Sequence, residues 1–503
     1  MLKDRPSTGS YAPLEPLSLQ RTKDVESAGT QQSKDLLFRV MEVGYWLIIC
    51  FSLVTYGAVD TTAVAAVTIF AFLYLPVVVI GNRGIPEHIR GLFFLACLTL
   101  AAGVAWAHFQ ALPSYSSAFA DLVWDQTGGL LADDIQHTVS LTPGDAPTGI
   151  VKLALPFAVF ILTLLLFNND DRASHGLRML AFGGGALAIF AVLQFTIAPR
   201  SLLFGQKTFY LDSLTAPFVN RNTAATFYGV LLLILTALLL KCWRSLDLSR
   251  GRLLATIFDL QHSFIVRRTW LIAFLTFVVF TALLLTRSRA GVGATAIAVS
   301  FFLVISALVD TRKRKTPETK APLNTWMKRS LVAALMLLIV GAVFGTFSGQ
   351  AVLRAKESGL TDSRFCILPG IMKMLSESWP MGAGLTSFRD VFPAYRDPAC
   401  GLGGVFDRAH NVYLEAIVGF GAMGLAMIVT TITALASVFI HGIRKRRRFR
   451  FAGILGLSVL LLVMLHSALD FSLQIPGFAV WFASTSGILA ALSSLPPNKM
   501  RHR

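Results

Sequence analysis

Residues 271–308 read LIAFLTFVVFTALLLTRSRAGVGATAIAVSFFLVISAL, in which two long apolar blocks flank the short polar stretch TRSRAG. Each block approaches the length that a helix needs to cross the hydrocarbon core of a bilayer, which is roughly 20 residues. Hydrocarbon offers the backbone no hydrogen-bond partner, so a segment that crosses it must be helical. This stretch therefore predicts two membrane-spanning helices joined by one short turn.

The same pattern recurs along the chain, which is 54% hydrophobic and only 15% charged. Soluble proteins carry about a quarter charged residues, so a soluble protein built from many buried helices is the less favoured alternative. We predict an all-α, polytopic integral membrane protein with about 12 transmembrane helices. The predicted spans lie near residues 40–59, 61–80, 91–109, 150–167, 179–198, 222–240, 270–285, 291–309, 331–346, 411–440, 451–470 and 477–494.

The net charge of +17 raises the question of a nucleic-acid partner, but its distribution argues against one. Most of the Lys and Arg residues fall in every second connection between spans, including the runs Arg312–Lys315 and Arg444–Arg448. This alternation is typical of cytoplasmic loops. It predicts cytoplasmic N- and C-termini, and it assigns the segment 251–264, apolar at helical spacing, to the inner membrane surface.

The composition along the chain predicts five regions. Residues 1–39 are polar and lack the apolar core of a signal peptide, so we expect a disordered cytoplasmic tail. Transmembrane helices 1–9 follow in 40–346, and helices 10–12 lie in 411–494. Between them lies a large extracytoplasmic loop, 347–410, and the chain ends in a cytoplasmic tail, 495–503.

Cations that persist outside the cytoplasmic loops are candidates for ligand binding. Arg287 and Arg289 share the turn TRSRAG, and two guanidiniums so close repel each other unless they share an anion. Arginine suits bidentate contact with phosphate. The alternative is that both side chains reach lipid headgroups. Arg221, flanked by Asn220 at the start of another span, is either a second such cation or part of a structural helix cap.

The long loop 347–410 holds Asp362-Ser363-Arg364, then a predicted amphipathic helix through Ile371, Met372 and Leu375. It ends in Arg408-Ala409-His410-Asn411, directly before a span. We expect His410 to sit at the top of a helical face that contains Gly421 and Gly424. Asn411 and Glu415 would form a neighbouring stripe, and Glu415 needs a partner or a proton within the membrane. His410 is either catalytic or a structural residue at a helix start.

Two further pairs stand out. His466 and Asp470 are spaced to hydrogen-bond with each other near the end of a span, as a functional pair or as a structural tie. Cys366 and Cys400 fall in the same extracytoplasmic loop, where disulfides persist, so we predict a disulfide, with two free thiols as the alternative. The sequence contains no CxxC or HExxH motif and no phosphate-binding loop of the Walker type, so we predict no metal and no cofactor.

These blocks together resemble the O-antigen ligase and O-antigen polymerase superfamily. His410-Asn411, followed after nine residues by Gly421-Ala422-Met423-Gly424, is similar to that family's His-Asn-x9-Gly-x-x-Gly pattern. Asn220-Arg221-Asn222, Arg287-Ser288-Arg289-Ala290-Gly291, Arg364, and Trp379-Pro380-Met381-Gly382-Ala383-Gly384 with Phe388 resemble its other blocks, in the same order. The resemblance covers roughly residues 200–475.

The resemblance implies a bacterial inner-membrane glycosyltransferase that works at the periplasmic face without metal. Its donor would be a glycan on undecaprenyl diphosphate, and its acceptor either lipid A-core, for a ligase, or a lipid-linked repeat unit, for an O-antigen or exopolysaccharide polymerase. Region 347–410 would then be a periplasmic catalytic loop. Arg221, Arg287 and Arg289, supported by Arg364 or Arg408, would bind the diphosphate, and His410 would be the base, with Glu415 beside it.

Two alternatives stay open from the sequence. No residue separates a ligase from a polymerase, and no residue identifies the glycan. A protein of another class, a transporter of an anion or a lipid-linked glycan, would place ionisable groups near the bilayer midplane, ideally within inverted repeats. The charged residues here cluster at one face instead, and no repeat is visible.

Overall fold

The computed structural model of the protein describes residues 17–82, 84–113, 120, 123–131, 135–245, 264–311, 366–400 and 404–494. Several predicted features lie outside these residues: the span 331–346, most of the surface segment 251–264, Arg364, and the C-terminal tail 495–503. Within them the protein is all-α, with one small antiparallel hairpin.

The helices follow the apolar blocks closely. Their bounds are α1 Leu17–Val54, α2 Thr61–Gly81, α3 Glu87–Ala111, α4 Val123–Leu131, α5 Ala146–Leu166, α6 Asp170–Ile197, α7 Arg221–Ser245, α8 Phe264–Leu285, α9 Arg289–Thr311, α10 Leu368–Ser378, α11 Phe388–Val391, α12 Val412–Phe420, α13 Ala422–Lys445, α14 Arg450–Ser467 and α15 Pro476–Ser494. The hairpin pairs β1, Ser201–Leu202, with β2, Gly205–Gln206.

Eleven helices among the described residues are long and apolar enough to cross a membrane. They correspond to the predicted spans other than 331–346, and they make the chain a polytopic membrane protein. The structure also contains elements that the sequence analysis did not predict, namely α4 and the hairpin. The predicted amphipathic helix through Ile371 is present as α10.

The chain divides into two units, Met1–Leu47 and Ile48–Arg503. The first unit contains most of α1. That helix begins at Leu17, inside the segment 1–39 for which the sequence predicts a disordered tail, so the described part of that segment is helical. Its apolar stretch begins at Leu36, close to the predicted start of the first span at residue 40.

Two helices form the centre of the second unit. In the most apolar 18-residue stretch of each helix, 83% of the residues of α7 and 89% of those of α15 are buried within the protein, compared with 17% in α13. The centre is closely packed because small residues line it: a Cβ on Gly487 of α15 would lie 2.7 Å from Thr163 Cγ2 of α5. Small residues let membrane helices approach closely. Arg221, the first residue of α7, is therefore attached to a closely packed helix.

The prediction of one continuous helix over residues 411–440 is wrong, because the structure has two helices there. The chain breaks at Gly421, where φ is +59°, and this separates α12 from α13. Pro380 carbonyl oxygen accepts a hydrogen bond from the Ala422 backbone N–H at 2.9 Å, so the loop from the 379–384 block sits against the break. Gly421 therefore interrupts the helix at the point where the 379–384 loop packs against it. The glycine pattern does not form the continuous glycine-lined helix face expected below His410.

This geometry makes Gly421 sensitive to substitution. A Cβ there would overlap the Pro380 carbonyl oxygen and lie 2.7 Å from Gly382 N, and the positive φ disfavours any L side chain. We expect Gly421→Ala to cost about 1–3 kcal/mol of stability, measured as a lower thermal unfolding midpoint in detergent. Gly183→Ala is the matched control, because its Cβ meets nothing within 4 Å. Equal midpoints for the two variants would contradict this account.

Candidate functional site

The turn TRSRAG connects α8 to α9 and carries the two arginines singled out from the sequence. Arg287 adopts a left-handed backbone conformation, with φ at +54°, and Arg289 begins α9. Between them, the buried Ser288 hydroxyl donates a hydrogen bond to Asn222 Oδ1 of α7 at 2.8 Å. This bond fixes the turn against the first residues of α7.

The start of α7 carries the third arginine. Asn220 Oδ1 accepts the backbone N–H of Asn222 at 2.7 Å, and α7 begins at Arg221. The Arg221 guanidinium lies 5.2 Å from the centre of the Tyr210 ring. Its Nε is buried and makes no hydrogen bond within the described part of the chain. The sequence therefore placed Arg221 correctly in the first turn, and its side chain retains unused donor capacity.

A buried polar network holds these two helix starts together. Asn222 Nδ2 donates to Asp470 Oδ1 at 2.9 Å, and the Ser472 hydroxyl bonds the other oxygen of that carboxylate. The Ser472 hydroxyl also lies 3.0 Å from the Thr226 hydroxyl, which contacts His466 Nδ1. His466 and Asp470, predicted as a pair, are thus linked through Ser472 and Thr226. Asp470 lies beyond the end of α14.

The network brings two helix N-termini and three arginines to one place. We call Arg221, Arg287 and Arg289 the arginine cluster. The positive end of the helix dipole favours an anion at a helix start. At these two starts, Asn220 and Ser288 already accept one backbone N–H each. Two such ends lie side by side and carry three arginines at or just before their first residues, a setting suited to a multiply charged anion.

One carboxylate already contacts this cluster. Arg287 donates to Asp212 Oδ2 at 2.7 Å, and the two side chains are 60% and 63% exposed. The pKa of Asp212 is below its ordinary value, mainly because the Ser213 hydroxyl bonds the carboxylate and in addition because Arg287 is close. Asp212 was not identified from the sequence, because a lone exposed aspartate in a loop carries no distinguishing pattern.

His410 lies beside the network but not on a helix. Its φ is +52°, and α12 begins two residues later, after Asn411. The Asn411 side chain caps that helix, accepting from the N–H groups of Tyr413 and Leu414, and donates to the Ala468 carbonyl at 3.1 Å. The His410 ring centre lies 5.1 Å from that of Phe471, which immediately follows Asp470. His410 therefore contacts the buried network indirectly, through the Phe471 ring.

The Glu415 carboxylate has the partners that the sequence analysis said it would need within the membrane, namely Arg408 and the Ala409 backbone. The side chain is 9% exposed, and its Oε1 lies 3.2 Å from Arg408 Nη1. Its Oε2 accepts the backbone N–H of Ala409 at 2.8 Å. Both carboxylate oxygens therefore bind the two residues directly before His410. This arrangement fixes the approach of the chain to His410, and we call it the Glu415 clasp.

The segment before the clasp is held in place from two sides. Ala383 and Gly384 donate backbone hydrogen bonds to the carbonyls of Val418 and Gly419, at 2.8 and 3.0 Å. Cys366 and Cys400 form a disulfide with their Cα atoms 5.7 Å apart. A hydrophobic cluster packs the segment onto α12; its buried members are Ile367, Ile371, Met374, Ala383, Phe388, Phe392, Ala409 and Val418.

A cavity of about 410 Å³ lies among α3, α5 and α12 to α15. Its walls are mostly apolar, with residues such as Leu153, Phe157 and Met427. Lys152, Arg408 and Glu415 also line it, and Lys152 is near enough to Arg408 to interact electrostatically. The volume is within the range of ligand sites, about 300–1,000 Å³. Apolar walls with a charged group at one place suit an amphiphile.

The described residues contain no group of three or more His, Cys, Asp or Glu side chains arranged to hold a metal ion. The absence of a metal and of a cofactor remains a prediction. Of the predicted site residues, the structure brings together Arg221, Arg287, Arg289, His410, His466 and Asp470. Asn220 and Asn411 serve as local caps at the same place. The sequence analysis named Asn222 only as part of the Asn220-Arg221-Asn222 block and missed Thr226 and Ser472, which are ordinary polar residues until the fold brings them together.

A family model described as O-antigen ligase matches residues 271–429. No curated protein matches the chain. The matched region contains the turn with Arg287 and Arg289, as well as Arg408, His410 and Glu415, whereas Arg221, His466 and Asp470 lie outside it.

The Glu415 clasp can be tested by stability. Glu415→Ala leaves the Ala409 N–H without its acceptor and Arg408 without its carboxylate, which we expect to cost about 1–3 kcal/mol, seen as a lower unfolding midpoint. Glu415→Gln keeps a carbonyl acceptor and should lose less. Glu377→Ala removes an exposed pair with Lys373 and should change little. A Glu415→Ala protein as stable as the Glu377→Ala protein would rule out the clasp.

Proposed function

We propose that the chain belongs to the O-antigen ligase and polymerase superfamily, whose ligase model matches residues 271–429, and that it transfers a glycan from undecaprenyl diphosphate to a second lipid-linked molecule. The acceptor would be lipid A-core for an O-antigen ligase, or a lipid-linked repeat unit for an O-antigen or exopolysaccharide polymerase. The reaction would take place at the periplasmic face of a bacterial inner membrane and would need no metal or other cofactor.

The main support is the chain of contacts that connects the arginine cluster to His410. The donor's leaving group is a lipid diphosphate, which gathers negative charge as the bond to the sugar breaks. Preorganised cations and helix N-termini aimed at that charge are an effective catalytic device. The network of Asn222, Ser288 and Asp470 holds the starts of two helices at this place, and Phe471 connects it to His410.

In the proposed reaction, an acceptor hydroxyl attacks the anomeric carbon of the donor glycan. The bond from that carbon to the diphosphate oxygen breaks, and its electron pair stays on the diphosphate, which the arginine cluster stabilises. His410 takes the proton of the attacking hydroxyl, because histidine is the side chain that most often serves as a general base. Undecaprenyl diphosphate and the lengthened or ligated glycan are the products.

The remaining predicted residues support this centre. Arg364, which lies outside the described residues, is proposed as a further cation for the diphosphate. Arg408 shares its charge with Glu415, so its contribution to diphosphate binding is combined with positioning His410. His466 and Asp470 hold the start of α7, and Asn220 and Asn411 cap the two segments that present Arg221 and His410.

The apolar cavity is suited to the donor's hydrocarbon chain. It is lined by Arg408 and Glu415, whose clasp leads directly to His410. A chain held there would leave the diphosphate near His410 and the arginine cluster. This arrangement would place the leaving group and the base at one site.

The membrane orientation is a separate prediction. Alternating basic connections predict both termini in the cytoplasm and segment 347–410 in the periplasm. Reporter fusions after residues 320 and 446 should be active only as cytoplasmic reporters, and fusions near residue 390 only as periplasmic reporters. The reverse pattern would place the arginine cluster at the cytoplasmic face and exclude a periplasmic reaction.

Substitutions should separate the roles of the arginines and His410. Arg287→Ala or Arg289→Ala should weaken binding of undecaprenyl diphosphate as well as turnover, and Lys should restore only part because an ammonium cannot form the bidentate contact. His410→Ala should leave that binding nearly intact and lower turnover by about 10²–10⁴-fold, because a general base acts only during reaction. Binding to purified protein and glycan transfer are the measurements.

Lys373→Ala is the control for charge, because Lys373 is an exposed cation whose partner is Glu377. It should leave both binding and turnover unchanged. If His410→Ala abolished binding of undecaprenyl diphosphate while both arginine variants bound it normally, the assigned roles would be reversed. If all variants stayed active, the reaction centre would lie elsewhere.

A further inference from the structure

A short hairpin follows the C-terminal end of α6. Its strands pair Leu202 with Gly205, so Leu203 and Phe204 alone form the loop. Two-residue hairpin loops favour Asn and Gly, because their backbone needs positive φ. Leu203 has φ at +49°, a backbone conformation that leucine rarely adopts, and Phe204 is 83% exposed. Turn propensity therefore does not explain why two large apolar residues form this tip.

The backbone of Leu203 has both its hydrogen-bond partners within the protein. Gln194 of α6 accepts the Leu203 N–H through Oε1 at 2.9 Å. The same side chain donates through Nε2 to the Leu203 carbonyl at 2.8 Å. A backbone group that enters hydrocarbon must find its partner within the protein, because no water is available there. Gln194 thus meets this requirement for Leu203 with one side chain.

The hairpin folds back along α6 and does not extend beyond its end. Gln194 lies three residues before the last residue of α6, Ile197, which corresponds to about 4.5 Å of helix rise. Helical side chains tilt towards the N-terminus of their helix, so Gln194 does not reach past that end. The ammonium of Lys207, the first residue after β2, lies 5.1 Å from the centre of the Phe195 ring. The tip is therefore level with the last turn of α6.

That last turn belongs to a membrane span. Residues 179–197 contain no charged side chain, and their number approaches the roughly 20 that a helix needs to cross hydrocarbon. Leu193 and Ile197 are exposed, as expected for side chains that face lipid. At the base of the hairpin, the exposed Arg200 accepts the Lys207 N–H through its carbonyl at 2.7 Å. An apolar tip with cations at its base is the order found in elements that lie in a membrane surface.

We propose that the hairpin 201–206 is a membrane anchor, whose tip enters the hydrocarbon of the leaflet on the side of the arginine cluster. Phe204 and Ile197 make the lipid contact, and Gln194 holds the tip in the conformation that enters the leaflet. The partner of this surface is the lipid bilayer itself.

The anchor is connected to the arginine cluster by a short segment. Within residues 207–212, the Tyr210 ring faces Arg221 and the Asp212 carboxylate bonds Arg287. Lipid contact at the hairpin therefore fixes one end of a segment whose other end contacts two of the three arginines. The inference does not depend on the proposed function, because it concerns contact with lipid and not a reaction.

The test is nitroxide labelling of the full-length protein in nanodiscs of phosphatidylethanolamine and phosphatidylglycerol. The free cysteines are first replaced by Ala: Cys50, Cys97 and Cys242. Labelling without reductant preserves the disulfide. Phe204→Cys then carries the label. Its collision rate with oxygen, which concentrates in the bilayer, is compared with its collision rate with a water-soluble nickel chelate.

Oxygen collisions should exceed nickel collisions at position 204, as they should in Leu193→Cys, the lipid-facing control on α6. Glu377→Cys is the water-facing control, because Glu377 is exposed and lies on the short helix α10; it should show an excess of nickel collisions. An excess of nickel collisions at position 204 would place the tip in water and overturn the proposal. Protection from both reagents would mean that protein, such as a second copy of the chain, covers the tip, and would overturn it as well.

Gln194→Ala tests the role of Gln194. Without that side chain the Leu203 backbone needs water, so the ratio of oxygen to nickel collisions at position 204 should fall towards that of Glu377→Cys. Thr196→Ala is the matched control on α6, because the exposed Thr196 hydroxyl bonds only the Val192 carbonyl of its own helix, and it should leave the ratio unchanged. Equal ratios in the two variants would show that Gln194 does not hold the tip in the leaflet.

Discussion

The geometry of the site depends on the buried side chain of Asn222. Its amide nitrogen binds the Asp470 carboxylate and its amide oxygen accepts from Ser288, so one side chain joins the end of α14 to the starts of α7 and α9. Burying a carboxylate without partners is costly, and Asp470 is fully buried. The same bonds that compensate that cost set the position of the arginine cluster.

The membrane architecture could be predicted from the sequence because hydrocarbon imposes length and helicity on every span. Two local features could not. In the sequence, Gly421 looks like a glycine that serves helix packing. Only its contact with the Pro380 loop, seen in the structure, explains why the helix ends there. Asn222 and Ser288 are 66 residues apart, and short polar side chains give no pattern that would pair them. Charged residues were easier to identify, because a misplaced cation is unusual in a membrane protein.

Two arginine–carboxylate pairs at the site differ in burial, and the difference suggests different tasks. Glu415 is 9% exposed and holds Arg408 and the Ala409 backbone together. Removing one partner from such a pair leaves a poorly compensated charge, so the pair is suited to fixing the His410 segment. Asp212 and Arg287 are mostly exposed, and water screens their attraction. A pair of that kind is easily exchanged for another anion.

The network also explains how residues outside the family match complete the site. Residues 271–429 contain the arginine turn and His410, but Arg221 and Asp470 lie on either side of that range. Arg221 is the first residue of α7, which is largely buried at the centre of the second unit. Asp470 follows α14 and accepts a hydrogen bond from Asn222 of α7. Because Ser288 lies between Arg287 and Arg289, its bond to Asn222 fixes the backbone of both arginines while their side chains remain exposed. Fixed backbones that carry exposed guanidiniums suit the proposed binding of a lipid-linked diphosphate.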